Sequence, residues 1–235
     1  SFWQDIYMRF YRAWFAGDRW MQYFEGLGTA SLVTILALLI GVSLGVVVAV
    51  IRTGHDQQRK GKHNPVLAVL NLICKIYVTV IRGTPMLVQL MIMGFVVFQN
   101  SRNFTMVGAL ALGINSGAYV TEIIRGGLMS LDPGQMEAGR SLGLGYLPTM
   151  TFIVVPQAFK AILPALGNEF ITLLKDTSLI SAIAGKEVVY FAKAIGAKTY
   201  DYMFPLLIIA VMYLILVLIF TWLQGILERR LRASD

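Results

Sequence analysis

Asn115, Tyr119 and Glu122 stand in an otherwise apolar stretch at spacings i, i+4, i+7 and so share one face of a helix. Asn168, Thr172 and Lys175 form a similar stripe. Glu169 and Asp176 lie one residue round from it, and Thr177 and Ser178 continue the polar run. An Asp, Lys or Arg in hydrocarbon costs at least ~2.5 kcal/mol on insertion scales, so such groups turn toward an interior or a cavity. One chemistry that follows is a path for a small polar, charged solute. The plainer one is adhesion between helices, which Asn, Ser and Thr supply by hydrogen bonding. For Asn115 and Thr172 both readings stand. Glu122 has a specific plain partner in Arg125, at i+3 on the same helix. Glu169 and Asp176 favour the path. Arg82 sits beside a "GTP" break and either snorkels inward or completes an anion-binding feature at the kink.

Other chemistries have little to work with. A phosphate-cradling loop reads G-x-x-x-x-G-K-[ST]. The two closest stretches, "KGKH" at Lys60–His63 and "AGKE" at Ala184–Glu187, lack both the leading Gly and the closing hydroxyl residue. The chain therefore does not hydrolyse ATP through that motif and does not read as an enzyme. His55 and His63 lie in a basic loop without carboxylates in register, and Cys74 is the single cysteine, so no metal site, disulfide framework or cofactor is expected. No Gly-x-Ser-x-Gly elbow occurs.

The elements that must position the stripes are membrane helices. The 235 residues are 57% apolar and only 14% charged, where an ordinary soluble domain is about a quarter charged. Several runs reach the ~20 residues a bilayer needs. The net charge of +7 does not point to nucleic acid, because the basic residues cluster at the edges of apolar runs. The pattern predicts an all-α integral membrane protein with about five spans. They cover roughly Leu27–Ile51, a segment ending near Phe98, Phe104–Ile124, Gln157–Ala182 and Pro205–Leu227. The second follows a helix near the inner surface and a kink at "RGTP", Arg82–Pro85. The basic loop after the first span and the basic tail "ERRLRASD" set the N-terminus outside and the C-terminus in the cytoplasm. Residues 1–25 do not read as a signal peptide. Trp3, Ile6, Tyr7, Phe10, Tyr11 and Trp14 keep a helical rhythm with Asp5, Arg9 and Arg12 mostly opposite, which predicts an amphipathic helix at the membrane interface. Residues 185–196 also read as amphipathic and are expected at the outer surface.

One polar, Gly-rich segment between spans carries a recognisable pattern. Glu137-Ala138-Gly139 is followed after three residues by Gly143, and nine residues later by Ile153-Val154-Val155-Pro156. This resembles the cytoplasmic loop of ABC importer permeases, which reads E-A-A, three residues, G, nine residues, I-x-L-P. Gly139 for Ala and Val155 for Leu are the departures, and a Gly in that helix weakens it by roughly 0.8–1 kcal/mol relative to Ala. "RGTPMLVQL" at Arg82–Leu90, "YVTEIIRGGLMSL" at Tyr119–Leu131, "GNEFITLLKDTSL" at Gly167–Leu179 and the closing "ERR" are similar to the polar amino acid permease branch. The resemblance covers about Gly26 to Arg232, so residues 26–235 read as one permease domain.

The resemblance implies a multi-pass protein of the bacterial inner membrane that imports polar amino acids. It also implies the partners: a second permease chain, identical or not, two ATPase subunits beneath, and an extracytoplasmic amino acid-binding protein. Glu137, Ala138, Gly139, Arg140, Ser141, Leu142 and Gly143 would then form a coupling helix seated on the ATPase. Asn168 and Glu169 would lie on or beside the substrate path, where a carboxylate meets an α-ammonium or a cationic side chain. The alternative is a stand-alone carrier driven by an ion gradient through Glu122, Glu169 and Asp176. Five spans disfavour it, because they do not divide into repeated halves.

Overall fold

The computed structural model describes residues 1–58 and 64–232. The basic loop 59–63, which contains the whole "KGKH" stretch with His63, and the last three residues lie outside the described residues. The described residues hold helices and no strand. In chain order the helices are α1 (Phe2–Trp14), α2 (Arg19–Asp56), α3 (Pro65–Gly83), α4 (Met86–Ile92), α5 (Phe104–Met129), α6 (Gly134–Ser141), α7 (Tyr146–Thr149), α8 (Val155–Asp176), α9 (Val188–Thr199) and α10 (Met203–Arg232). One π-helical turn, Met93–Val97, extends α4, and another, Met150–Val154, joins α7 to α8.

Five stretches are long and apolar enough to cross a membrane: Ala16–Asp56, Pro65–Gly83, Phe104–Met129, Tyr146–Ile183 and Met203–Leu231. The second departs from the sequence expectation. Thr84 is extended (φ −120°, ψ 146°), the conformation favoured before a proline, so the chain breaks where the "RGTP" reading put it. The break leaves a span-length helix before it, and the apolar stretch after it, Met86–Val97, is the short one. The crossing expected to end near Phe98 is therefore assigned by length to α3. Pro164, expected to interrupt the fourth span, lies inside α8 without ending it.

The chain forms two compact units. The first comprises Ser1–Ala37, Pro85–Gly113 and Ile171–Leu223. Its core packs Tyr23 and Ile209 around Val188, Ala192 and Ile195, one face of α9. Residues 185–196 are thus amphipathic as read, but protein covers their apolar face. The turn into α9 is held by Glu187, which caps the helix by accepting from the amides of Val189 (2.8 Å) and Tyr190 (2.9 Å).

The second unit comprises Leu38–Thr84, Ile114–Phe170 and the chain from Gln224. Val48, Cys74, Val78 and Ala118 form a core among α2, α3 and α5, flanked by Leu44, Ile51, Tyr77 and Ile81. The Tyr77 hydroxyl donates to the Ile114 carbonyl at 2.5 Å. A Cβ on Gly41 would lie 2.8 Å from Ser116 Oγ, so this glycine lets α2 close on α5 at the point where the polar stripe begins.

Candidate functional site

In the second unit, α5 carries Asn115, Tyr119 and Glu122, and α8 carries Asn168 and Glu169; Thr172 and Lys175 of the α8 stripe fall in the first unit. The Ser116 hydroxyl donates to Glu169 Oε1 at 2.7 Å, bringing the two helices together through a half-buried carboxylate. Ser116 was missed in the sequence because its neighbour Asn115 carried the helical spacing. Asn115 is 8% exposed and Tyr119 37%. The Arg82 guanidinium lies 5.4 Å from the centre of the Tyr119 ring, within the range of a cation–π contact. Arg82 thus meets an aromatic face on α5, and the structure joins two residues that the sequence could only list.

Glu122 does not pair with Arg125 as expected. It accepts from Arg52 of α2 at 2.5 Å, and Arg125 donates to Asp56 at 2.8 Å. The reason is geometric: the end of α2 offers each of them an opposite charge from across the helix pair. Neither partner was visible without knowing that α2 and α5 are neighbours.

On α8, Asn168 Oδ1 accepts from Gln224 of α10 at 3.0 Å, and the same Gln224 amide reaches the Pro164 carbonyl (3.2 Å) and Glu228 (3.2 Å). One face of the helix continues down from Asn168 through Pro164 and Ala161 to Gln157. There it borders a cavity of about 500 Å³ lined also by Lys160, Leu131, Glu228 and Leu231. Thr172 and Lys175 are exposed on the face of Asn168.

In the first unit, Asp176 ends α8 half-buried, and Ser178, also half-buried, accepts at its carbonyl from Ser181 (3.0 Å). Thr177 is fully buried. Its hydroxyl donates to the Leu174 carbonyl at 2.7 Å and lies 3.3 Å from the Tyr213 hydroxyl. Tyr213 in turn donates to Glu187 at 3.4 Å. Glu187 is 0% exposed, and burial pushes its carboxyl up to about 7. The sequence signal was present, an acid directly before an apolar run, which is a helix-start pattern.

The segment from Glu137 to Gly143 forms the short helix α6 and its stop. Asp132 opens it by accepting from the Gly134 amide at 2.8 Å. Gly143 closes it with φ +82°, a left-handed backbone that favours glycine. The Gly143 amide donates to Arg140 (3.0 Å) and the Leu144 amide to Gly139 (3.1 Å), the paired bonds of a Schellman turn. Gly139 is buried, and a Cβ there would lie 2.5 Å from Thr149 Cγ2 and 2.9 Å from its Oγ1. The departure from Ala thus has a packing reason: it lets α6 seat against Thr149 and Ile153. Gln157 of α8 adds a 3.1 Å hydrogen bond to Gln135. Everything else faces out: Glu137, Ala138, Arg140, Ser141 and Leu142 are exposed, Leu142 by 79%.

This pairing of an outward-facing, glycine-stopped helix with span-length apolar helices is matched by comparison. Residues 66–233 fit the family model of the binding-protein-dependent transport system inner membrane component. The chain belongs to that family. This inner membrane component is 37% identical to the arginine transport system permease protein ArtQ of Bacillus subtilis, over 90% of this chain and 93% of that one. It is 33% identical to the putative glutamine transport system permease protein GlnP of Rickettsia typhi, over 84% and 87%. Among solved structures, an amino acid ABC transporter crystallised with histidines superposes with a TM-score of 0.79 at 39% identity, covering 89% of this chain and 94% of that one. The protein is a multi-pass inner-membrane permease subunit.

Proposed function

We propose that the chain spans the membrane as one permease of an ATP-driven amino acid importer. It would work with a second permease chain, two ATP-hydrolysing subunits and an extracytoplasmic binding protein. The N-terminus lies outside, and α6 and the C-terminus lie in the cytoplasm. The observation that carries this reading is α6. It is pinned to its own unit by Gly139 and Gln135 and stopped at Gly143, and it offers a rigid, otherwise uncovered surface to a partner. ATP-driven closure of the partner subunits pushes on that surface, and the spans rock between outward and inward access.

The substrate moves along the stripe of α8, and Glu169 meets its α-ammonium or cationic side chain. Relatives named for arginine and glutamine support an amino acid cargo, and the acidic members of the stripe favour a cationic or neutral polar one. The ion-gradient alternative loses support at Glu122, whose carboxylate is engaged by Arg52. Gly143→Val tests the coupling role, because a β-branched side chain is strained at positive φ. The expected result is a complex whose ATPase no longer responds to loaded binding protein. Unchanged stimulation would remove α6 from the account.

A further inference from the structure

Helix α1 is left unexplained by the transport reading, and the family match begins only at residue 66. The sequence gives it one broad aromatic face, and the structure divides that face in two. Ile6, Arg9, Phe10, Ala13 and Trp14 turn toward the protein. Arg9 grips Asp201 with two hydrogen bonds, Nε to Oδ2 at 2.7 Å and Nη2 to Oδ1 at 2.9 Å, and its guanidinium lies 5.6 Å from the Phe204 ring centre. Phe10 meets the same ring edge-on at 5.9 Å. Trp14 stacks on Tyr23 at 5.7 Å, and the Tyr23 hydroxyl donates to the Ala13 carbonyl at 3.2 Å.

The other half has no such cover. Trp3, Tyr7, Tyr11 and Phe15 follow one another at i+4 and are 75%, 61%, 42% and 51% exposed. Neighbouring rings touch, Tyr7 to Tyr11 at 6.3 Å and Tyr11 to Phe15 at 5.9 Å. No charged residue interrupts the row. Between α1 and α2 the backbone turns left-handed at Gly17 (φ 63°) and Asp18 (φ 53°), so α1 does not simply prolong the span. Beyond the turn, exposed apolar residues resume at Trp20, Met21 and Phe24 and continue along α2 at Leu32 and Ile35. That flank belongs to a span-length helix and is left uncovered by this chain, and the aromatic row precedes it at its N-terminal end.

We propose that α1 is a two-faced interfacial anchor: the Arg9 face is clasped to the α9–α10 turn, and the Trp3–Tyr7–Tyr11–Phe15 row lies in the lipid headgroup layer. Trp and Tyr favour that level because an apolar ring and a polar tip are both satisfied there. The row carries no Lys or Arg, so zwitterionic lipid is sufficient, unlike the basic helices that need anionic surfaces. A protein partner is disfavoured because the row offers it no charge and stands at the N-terminal end of the uncovered apolar flank of a span-length helix.

The test uses the 235-residue chain in phosphatidylcholine liposomes with Trp14, Trp20 and Trp222 changed to Phe, leaving Trp3 as its sole tryptophan. The expected result is a blue-shifted Trp3 emission, quenched more strongly by lipids brominated near the head group than near the chain end, and little affected by iodide. Strong iodide quenching with no effect of brominated lipid overturns the proposal, as does shielding that arises only when the binding protein is added. Should the three Phe changes disturb packing, Tyr7→Cys on a Cys74→Ser background carries a nitroxide instead. Its collisions with lipid-soluble oxygen should exceed those with a water-soluble nickel complex, and the reverse order contradicts the proposal. In the same spin-labelled chain, Arg9→Gln should raise nitroxide mobility, and unchanged mobility removes the clasp.

Discussion

Two glutamates in this chain are opposites. Glu187, in the first unit, is wholly enclosed, capping α9 through two amides and receiving the Tyr213 hydroxyl. Glu169, in the second, is half-buried on a stripe that runs along α8, and Ser116 of α5 donates to it. A fully buried carboxyl already held by two amides and a hydroxyl is out of reach of a solute. A half-buried one, which in the proposed path stands beside the solute, is within its reach. The proposed transport role therefore separates the two: Glu187 should matter to the fold and Glu169 to passage of the solute.

The largest effect expected from this contrast is on Glu169. Glu169→Ala in the assembled transporter should lower uptake by roughly ten- to a hundredfold, the equivalent of one hydrogen bond to a charged group, ~1.5–3 kcal/mol. Its melting temperature should stay close to that of the parent. Uptake and melting that fall together would make Glu169 structural and erase the contrast.

Glu187→Ala should do the reverse. Losing the α9 cap costs about 1 kcal/mol, and orphaning buried donors adds roughly 1–3 kcal/mol for each that finds no water. Thermal melts should show the loss, while uptake per folded molecule is kept. Uptake that collapses in well-folded protein would bring Glu187 into the transport path.

Gly139→Ala sharpens the picture at α6. Helix propensity alone predicts a gain of roughly 0.8–1 kcal/mol, but the added methyl runs into buried Thr149, and overpacking of this kind typically costs ~1–3 kcal/mol. Net destabilisation is expected in a melt. A more stable variant would show that α6 sits more loosely than its packing implies.

The smallest effect is a pH dependence. Burial raises the folded Glu187 carboxyl from its ordinary 4.5 to about 7. Between those values the folded state holds the proton and the unfolded state has released it. The stability this group contributes is therefore full below about pH 4.5, declines as pH rises toward 7, and is flat above. Glu187→Gln should flatten that window in melts taken across it, and an unchanged slope would assign the dependence to another group.

Much of this was legible in the sequence, for physical reasons that differ by region. Four of the five spans, the break before Pro85 and the turn at Gly143 follow from local rules: hydrophobic length, the proline's constraint on its neighbour, and the left-handed preference of glycine; the second span was placed after that break rather than before it. The Glu137–Gly143 pattern was legible through its spacing. What escaped depends on which helices are neighbours. Arg52 for Glu122, Gln224 for Asn168 and Ser116 for Glu169 are contacts across 53 or more residues of chain. The burial of Glu187 escaped for the same reason, because an amphipathic helix reads alike whether lipid or protein covers its apolar face. Gly139 read as a softening of α6 until Thr149 was seen behind it.

The central claim, that this chain moves amino acids with energy delivered by ATP-hydrolysing partners, is tested most directly by uptake into proteoliposomes. Radiolabelled arginine and glutamine would be offered to the chain alone and to the chain assembled with its ATPase and binding protein. The account predicts accumulation of at least one of them only in the assembled complex, only with ATP inside the ATPase-facing compartment, and only with binding protein on the opposite side. Uptake by the chain alone under a proton or sodium gradient would contradict it.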